Sequence, residues 1–470
     1  MNYMTRREAL GTLAAAGAAA WMRPGAAEAP VRKKPNIIFI LADDLGYGDV
    51  GCYGQEQILT PRLDRMAAEG IKFTDAYAGS TVCAPARCSL MTGFHQGHAY
   101  IRGNRSDLTN DRVPLRPEDT TVAEVLREAD YVTGLIGKWG LGEPDTTGIP
   151  NRQGFDEFFG YLNQNLAHNY YPETLWHNEE EVRIEGNVLS DEHNVCKQCE
   201  VYSHDLFTEK ALDFIRRHEE EPFFLYLPYT IPHANNAAGR SDQREHGMEV
   251  PSEEPYCDKP WPGAQRSHAA MITRLDRDVG KILDLLEEKG MAENTLVIFS
   301  SDNGPHAEGG ADPDFFNSGG PLRGIKRDLY EGGIRVPTIA WWPGVTPRGV
   351  VSDHAWAFWD FLPTAAELAG VESPACDGIS IVPTLVGDAG NQPTHDHLYW
   401  EFRHRTFKQA VRFGDWKAVR NALDAPTELY NLVKDMGEAH DVADEHPEVV
   451  AQAERLFETS RTESRHWPAQ

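Results

Sequence analysis

Two pairs of oxygen-bearing residues close short apolar runs: Asp43-Asp44 after Asn36-Ile-Ile-Phe-Ile-Leu41, and Asp302-Asn303 after Thr295-Leu-Val-Ile-Phe-Ser-Ser301. Neither run alternates with polar residues, the pattern of a strand buried on both faces of a parallel sheet. In open α/β sheets ligands lie beyond the carboxyl ends of the strands, so Asp43, Asp44, Asp302 and Asn303 are expected in one crevice. Three carboxylates brought together need a cation. Four hard oxygen donors without a cysteine or histidine among them favour calcium or magnesium over zinc. Singly, each pair also reads as a turn or helix cap; two matching strand ends strengthen the metal reading.

The segment Ser80-Thr-Val-Cys83-Ala-Pro85-Ala-Arg87-Cys-Ser-Leu-Met-Thr-Gly93 has the form of a helix start, with proline in the first turn. Arg87, four residues after Cys83, falls on the same helical face. A helix N-terminus offers free amide donors and a partial positive charge, so an anion held there gains from both and from the guanidinium. The plainer alternative is a buried cysteine beside a surface arginine.

These residues need a scaffold, and the chain supplies one. Further strand patterns run from Tyr131 to Ile136, Phe223 to Leu227 and Pro337 to Trp342, with helical patterns at Thr121 to Ala129 and Asp205 to His218. The longest helix is expected from Arg266 to Lys289, where Met271, Ile272, Leu275, Val279, Ile282, Leu283 and Leu286 keep helical spacing and Gly290 supplies the stop. From about Thr394 the runs shorten and alternate, as in Leu398-Tyr-Trp-Glu-Phe402 and Lys417-Ala-Val419, before a charged helical stretch near Pro447 to Ser460. The expected architecture is α/β: a large N-terminal α/β sandwich over 33–393 with a mostly parallel central sheet, then a smaller C-terminal α+β domain over 394–470 with a short antiparallel sheet.

The 470 residues are 41% hydrophobic and 25% charged, an ordinary globular balance that excludes disordered and fibrous classes. Acids exceed bases by 72 − 45 = 27, so a nucleic-acid backbone would be repelled. An anionic substrate would likewise have to be drawn in by cations close to the site. Residues 1–29 read as an export signal of the twin-arginine type: Thr5-Arg6-Arg7, an apolar run from Ala9 to Met22, and the small-x-small site Ala27-Glu28-Ala29. The run is too short to span a bilayer, and no later segment could do so. A periplasmic or secreted location follows. There the seven cysteines (Cys52, Cys83, Cys88, Cys196, Cys199, Cys257, Cys376) are an odd number that sets one apart. Cys196-Lys-Gln-Cys199 has no second pair to complete a zinc site, so a local disulfide or two free thiols is expected.

Cys83-x-Pro85-x-Arg87 followed by Leu90-Met-Thr-Gly93 resembles the signature of type I, formylglycine-dependent sulfatases of the alkaline phosphatase superfamily. The resemblance extends through Ala42-Asp43-Asp44, Gly137-Lys138-Trp139, Ile231-Pro232-His233, Ser301-Asp302-Asn303-Gly304, Gly324-Ile-Lys326 and Tyr330-Glu-Gly-Gly-Ile-Arg-Val-Pro337. It implies that a maturation enzyme converts Cys83 to formylglycine, leaving six cysteines free to pair. It also implies that Asp43, Asp44, Asp302 and Asn303, with the modified Cys83, bind one calcium ion. By the same resemblance Arg87, Lys138 and Lys326 hold the sulfate oxygens, and His233 protonates the leaving alcohol, a role that suits a pKa near neutral. Ala86 stands where serine is more usual. Many relatives carry histidine two residues after the lysine, where this chain has Gly140; His306 and His168 are candidates to replace it, or to bind the substrate's sugar.

The resemblance implies a hydrolase of sulfate esters; with the export signal and the similarity of Gln164 to Tyr171 to bacterial polysaccharide-degrading members, a sulfated, galactose-type carbohydrate is expected rather than a small aryl sulfate. Tyr161, Tyr170, Tyr171, Trp176 and Trp261 are candidate stacking platforms for sugar rings, most of them expected in the core. Two other readings fit the same residues: a phosphoester or phosphonate monoester hydrolase of the same superfamily, and a non-catalytic glycan-binding relative suggested by Gly140.

Overall fold

The computed structural model describes residues 34–190, 195–242 and 244–469; the expected export signal lies outside them. At its centre is a ten-stranded sheet. Its middle five strands, in spatial order, are Thr295–Ser301, Asn36–Asp43, Phe223–Pro232, Val132–Lys138 and Glu157–Tyr161, all mutually parallel. On one side the sheet continues through Thr338–Trp341, Ile71–Phe73 and Val350–Ser352, and on the other through Thr174–His177 and Glu180–Arg183. Antiparallel pairing enters where Thr338–Trp341 meets Thr295–Ser301 and where Thr174–His177 meets Glu157–Tyr161.

Every residue of Asn36–Asp43 is buried, because both of its faces carry a core. Ile38, Ile40 and Ala42 point into one core, Ile37, Phe39 and Leu41 into the other. Residues of helices Pro61–Glu69, Ser203–Arg217 and Gly263–Glu288 build the first core. Those of Cys83–Thr92, Val122–Glu128 and Phe361–Ala369 build the second. Helices on both faces of a largely parallel sheet make the doubly covered α/β architecture that the apolar runs predict. Elements differ from expectation mainly at their ends. The strand from Phe223 runs on to Pro232, and that from Asn36 to Asp43, each carrying the chain to the site. Thr121 and Glu124 cap the helix between them reciprocally.

The C-terminal part is a four-stranded antiparallel meander, Leu398–His404, Thr406–Phe413, Trp416–Arg420 and Glu428–Asn431. One face packs Tyr399, Val411 and Leu429 against Phe457 of helix Pro447–Thr459. The other sets Trp400, Ala410 and Val419 against Tyr77, Val82 and Trp359, and so supports the residue before Cys83.

A buried charge network joins the two parts: Lys417 donates to Glu331 at 2.7 Å, Tyr77 to the same carboxylate at 2.6 Å, and the Glu331 amide to Glu438 at 2.7 Å. Burial pushes Glu438 up to about 7, against Lys417 and with Glu331 adding to the rise. The folded protein therefore keeps a proton that the unfolded chain releases near the ordinary 4.5, and stability falls as pH rises through that window. Glu438→Gln, neutral at every pH, is expected to raise the melting temperature at pH 8 by roughly 1–3 °C and to gain less at pH 5. Calorimetry at the two pH values checks this; an equal shift at both would refute it.

Candidate active site

Four adjacent parallel strands end at one crevice, and each delivers a charged or polar group there. Asn36–Asp43 brings Asp43 and Asp44, Thr295–Ser301 brings Asp302 and Asn303, Val132–Lys138 ends on Lys138, and Phe223–Pro232 leads into His233. Helix Cys83–Thr92 points its first residue at the same place, and the loop after Gly324 adds Lys326. All ten residues of that helix are buried, and Pro85 sits in its first turn, where its missing N–H matters least. Asp44 takes φ +67°, unusual for a residue with a side chain. Its amide donates to Asp302 Oδ1 at 3.2 Å, and the next amide to Ser301 Oγ at 2.9 Å.

Around Cys83 the charges interlock. Its Sγ lies 3.4 Å from Asp43 Oδ1. Lys138 Nζ donates to Asp43 Oδ2 at 2.6 Å, and Lys326 Nζ to Asp44 Oδ2 at 2.7 Å. Arg87 donates to Asp302 Oδ2 through Nε at 3.2 Å and Nη2 at 2.8 Å, and to the Lys138 carbonyl at 2.6 Å. Asn303 gives its amide to Asp44 Oδ1 at 2.8 Å, while its own Oδ1 is buried without a hydrogen-bond partner among the described residues. Arg87 and Lys138 are fully buried with their charges on carboxylates and do not line the cleft, whereas Lys326 does.

Burial would raise Asp43, but Lys138, then His233 and Arg87, hold it well below the usual carboxylate range. Asp302 is pushed up to about 6 by burial and by Asp43, against Arg87. The Cys83 thiol is driven far above its ordinary range by burial and then by Asp302 and Asp43, so it stays protonated and is not set up as a thiolate nucleophile. Asp43, Asp44, Cys83 and His233 present ligand atoms within 4.8 Å of one another. A hard divalent cation fits this place: buried carboxylates converge, and the lone Asn303 oxygen is an acceptor without a donor.

His233 Nδ1 contacts the Ala234 carbonyl at 2.7 Å, which places its proton there and leaves Nε2 to accept from Lys326 Nζ at 2.9 Å. Burial and then Lys326 push its pKa well below the ordinary 6.5, a departure from the near-neutral value expected for an acid. His168 stacks on this ring with centroids 3.8 Å apart and faces the cleft. His306 does not line it: Nδ1 accepts from the Glu308 amide at 3.0 Å, and Nε2 faces the Pro232 carbonyl at 3.2 Å.

The cleft is walled by Cys83, His168, His233 and Lys326, by Gln164 from the segment that leads to His168, and by groups that the motifs leave out, among them Arg105, Arg112, Asn236, Glu308 and Arg327. Three arginines and a lysine against one glutamate supply the local positive charge that the −27 balance demands. Arg327 takes φ +80°, fixed by bonds from its amide to Thr81 Oγ1 at 2.9 Å and to the Thr81 carbonyl at 3.2 Å. None of the five aromatic candidates lines the cleft. Tyr161, Tyr170 and Tyr171 are core, with the Tyr170 hydroxyl bonded to the carbonyls of Thr230 and His233, and Trp261 stacks on Tyr256. Apolar size alone does not distinguish a platform from a core residue.

Cys196 and Cys199 form a disulfide; Cys52, Cys88, Cys257 and Cys376 remain free, so the expectation that six cysteines could pair holds for two of them. A second group of possible ligands, His95, His98 and Asp377, is a clasp already satisfied. Asp377 accepts from the His95 amide at 3.1 Å and meets His98 Nδ1 at 2.9 Å, while His95 Nδ1 accepts the Gly97 amide at 3.1 Å.

Known proteins resemble the chain along most of its length. The sulfatase family model matches residues 35–371, and that of the N-sulphoglucosamine sulphohydrolase C-terminal region matches 325–463. N-acetylgalactosamine-6-sulfatase of Canis lupus familiaris is 34% identical over 418 residues, which cover 84% of this chain and 73% of the relative. Arylsulfatase A of Homo sapiens is 32% identical over 483 residues, covering 92% and 88%. The crystal structure of Ps i-CgsB in complex with k-i-k-neocarrahexaose superposes with TM-score 0.78 at 28% identity, over 93% of this chain and 95% of the other. The chain belongs to the sulfatase family and is a sulfuric ester hydrolase.

Proposed function

We propose that the protein removes sulfate from a carbohydrate, using a formylglycine made from Cys83 and one calcium ion held by Asp43, Asp44, Asp302 and Asn303. The observation that carries this reading is the enclosure of Cys83 by carboxylates that are themselves countered by Lys138, Lys326 and Arg87. A buried, protonated thiol is useless there as a nucleophile, and an oxidised Cys83 is not. A formylglycine at position 83 would supply the nucleophile that the thiol does not, and Asp43, Asp44, Asp302 and Asn303 would hold the cation that activates it.

The chain's own residues do the rest. Lys326, at the cleft wall, binds a sulfate oxygen and pre-positions charge for the transition state. Arg87 and Lys138 fix the carboxylates that face Cys83. His233 Nε2, pointing its lone pair at Lys326, gains affinity for a proton once an anion offsets that lysine and can then pass the proton to the leaving alcohol. The carbohydrate reading, galactose-type in particular, is supported by the named activity of the N-acetylgalactosamine-6-sulfatase relative and by the oligosaccharide held in Ps i-CgsB. Export is supported by the twin-arginine segment and fits the Cys196–Cys199 disulfide; among the described residues no helix is long and apolar enough to cross a membrane.

Mass spectrometry of the peptide spanning Cys83, from a host that holds the maturation enzyme, is expected to show loss of the thiol in favour of an aldehyde. A thiol that persists while the host converts a known substrate refutes the formylglycine assignment. Chelation followed by calcium is expected to abolish and then restore turnover, with a calcium-dependent rise in melting temperature. Sulfate and phosphate esters of one phenol are expected to differ in favour of sulfate; a clear phosphate preference would move the protein to the phosphoester branch of the superfamily.

A further inference from the structure

Gln164, in the cleft wall, occupies the space that a side chain at Gly140 would need. A Cβ at Gly140 would lie 2.8 Å from Gln164 Nε2 and 3.0 Å from its Cδ and Cγ. The backbone there takes φ +82°, which glycine tolerates best. Two backbone bonds hold the pair together, from the Trp139 amide to the Tyr161 carbonyl at 2.9 Å and from the Gly140 amide to the Leu162 carbonyl at 3.2 Å.

The amide that takes this place is unsatisfied. Gln164 is 5% exposed and lines the cleft with Cys83 and His168, yet its Nε2 has no hydrogen-bond partner among the described residues. His168 Nε2, on the turn that follows, is buried and unpartnered as well. Buried donors are nearly always paired, and an orphan in the wall of an active cleft is explained by a ligand that brings the acceptor.

We infer that Gln164 is a substrate-binding residue, donating from Nε2 to an oxygen of the bound sulfate group in the space that a histidine side chain from position 140 would otherwise occupy. The inference rests on the sulfatase reading of the cleft. It makes the contact a neutral, non-titrating one, so this wall of the site binds its anion without a proton switch. It also ties Gly140 to Gln164: any side chain at 140 would displace the amide.

Two variants test it in the full-length, calcium-loaded protein, with inorganic sulfate as the probe. Gln164→Met keeps the volume and loses the donor; Gln164→Glu keeps the shape and places a carboxylate against the anion. Sulfate binding is read as inhibition of aryl sulfate turnover and as the sulfate-induced rise in melting temperature. Gln164→Met is expected to weaken sulfate roughly ten-fold or more and to raise KM in proportion, with kcat affected less. Gln164→Glu is expected to abolish the sulfate-induced rise. If the parent protein turns over the ester while both variants bind sulfate as it does, the inference is wrong and the sulfatase reading stands. If the parent neither binds sulfate nor hydrolyses the ester, it is the sulfatase reading that fails. Should one variant not fold, the other decides, since they differ in charge but not in packing.

Discussion

Cys83→Ala is expected to lower turnover of a sulfate ester by roughly 10⁵-fold or more, the scale on which enzymes lose activity when their nucleophile is deleted. The loss should fall on kcat, because Lys326 and the rest of the cleft remain to bind the anion. Stability should change little. Among the described residues the polar contact of its Sγ is to Asp43 at 3.4 Å, at the first position of its helix, and alanine is a better helix former than cysteine. An aldehyde-selective hydrazide should label the parent protein and leave Cys83→Ala unlabelled. Residual activity within a hundred-fold of the parent would show that another group attacks sulfur, and would overturn the nucleophile assignment at Cys83.

What was readable in the sequence is what the sheet dictates. Asp43, Asp44, Asp302 and Asn303 could be placed together because their strands are continuous apolar runs, and parallel strands deliver their carboxyl ends to one edge of the sheet. Cys83 and Arg87 followed from helical spacing, and the structure adds only that Arg87 turns its charge inward to Asp302. Of the residues that loops deliver, Lys326, His233 and His168 were reached through the family resemblance, and the others were not readable. Gln164 lies 24 positions after Gly140, and only the pairing of strands Val132–Lys138 and Glu157–Tyr161 makes them neighbours. Glu308 and Arg327 face the cleft from irregular segments with no period to betray them. His306 resembled a site residue by its nearness to Asn303, but a step of three residues in a loop fixes no direction, and its ring is spent on backbone groups. The aromatic residues misled for a related reason: hydrophobic side chains that suit a sugar platform also suit a core.

The second large effect is expected from the two lysines, which look alike in the sequence and sit differently in the structure. Lys326 reaches the cleft surface, with Nζ on Asp44 and on His233 Nε2, so its charge is available to an incoming sulfate. Lys326→Met is expected to reduce kcat/KM by about 10²–10³, the loss seen when one preorganised donor to a developing oxyanion is removed. Both KM and kcat should suffer, because the contact exists in the bound ester and strengthens in the transition state. Lys138 is fully buried on Asp43 and does not line the cleft. Lys138→Met leaves a buried carboxylate without its nearest cation, so its first expression should be in stability, a loss of about 3–5 kcal/mol in calcium-free protein. Calcium, drawn to the same carboxylate, should return part of that stability, making the Lys138→Met melting temperature more calcium-dependent than the parent's. Calorimetry with and without calcium, together with steady-state kinetics on one aryl sulfate, separates the two roles. The assignment fails if Lys138→Met is as stable as the parent without calcium, or if Lys326→Met leaves KM and kcat unchanged. A lysine at the cleft wall is read in kinetics, and one that holds a buried carboxylate is read in melting, because a buried charge acts on whatever it touches first.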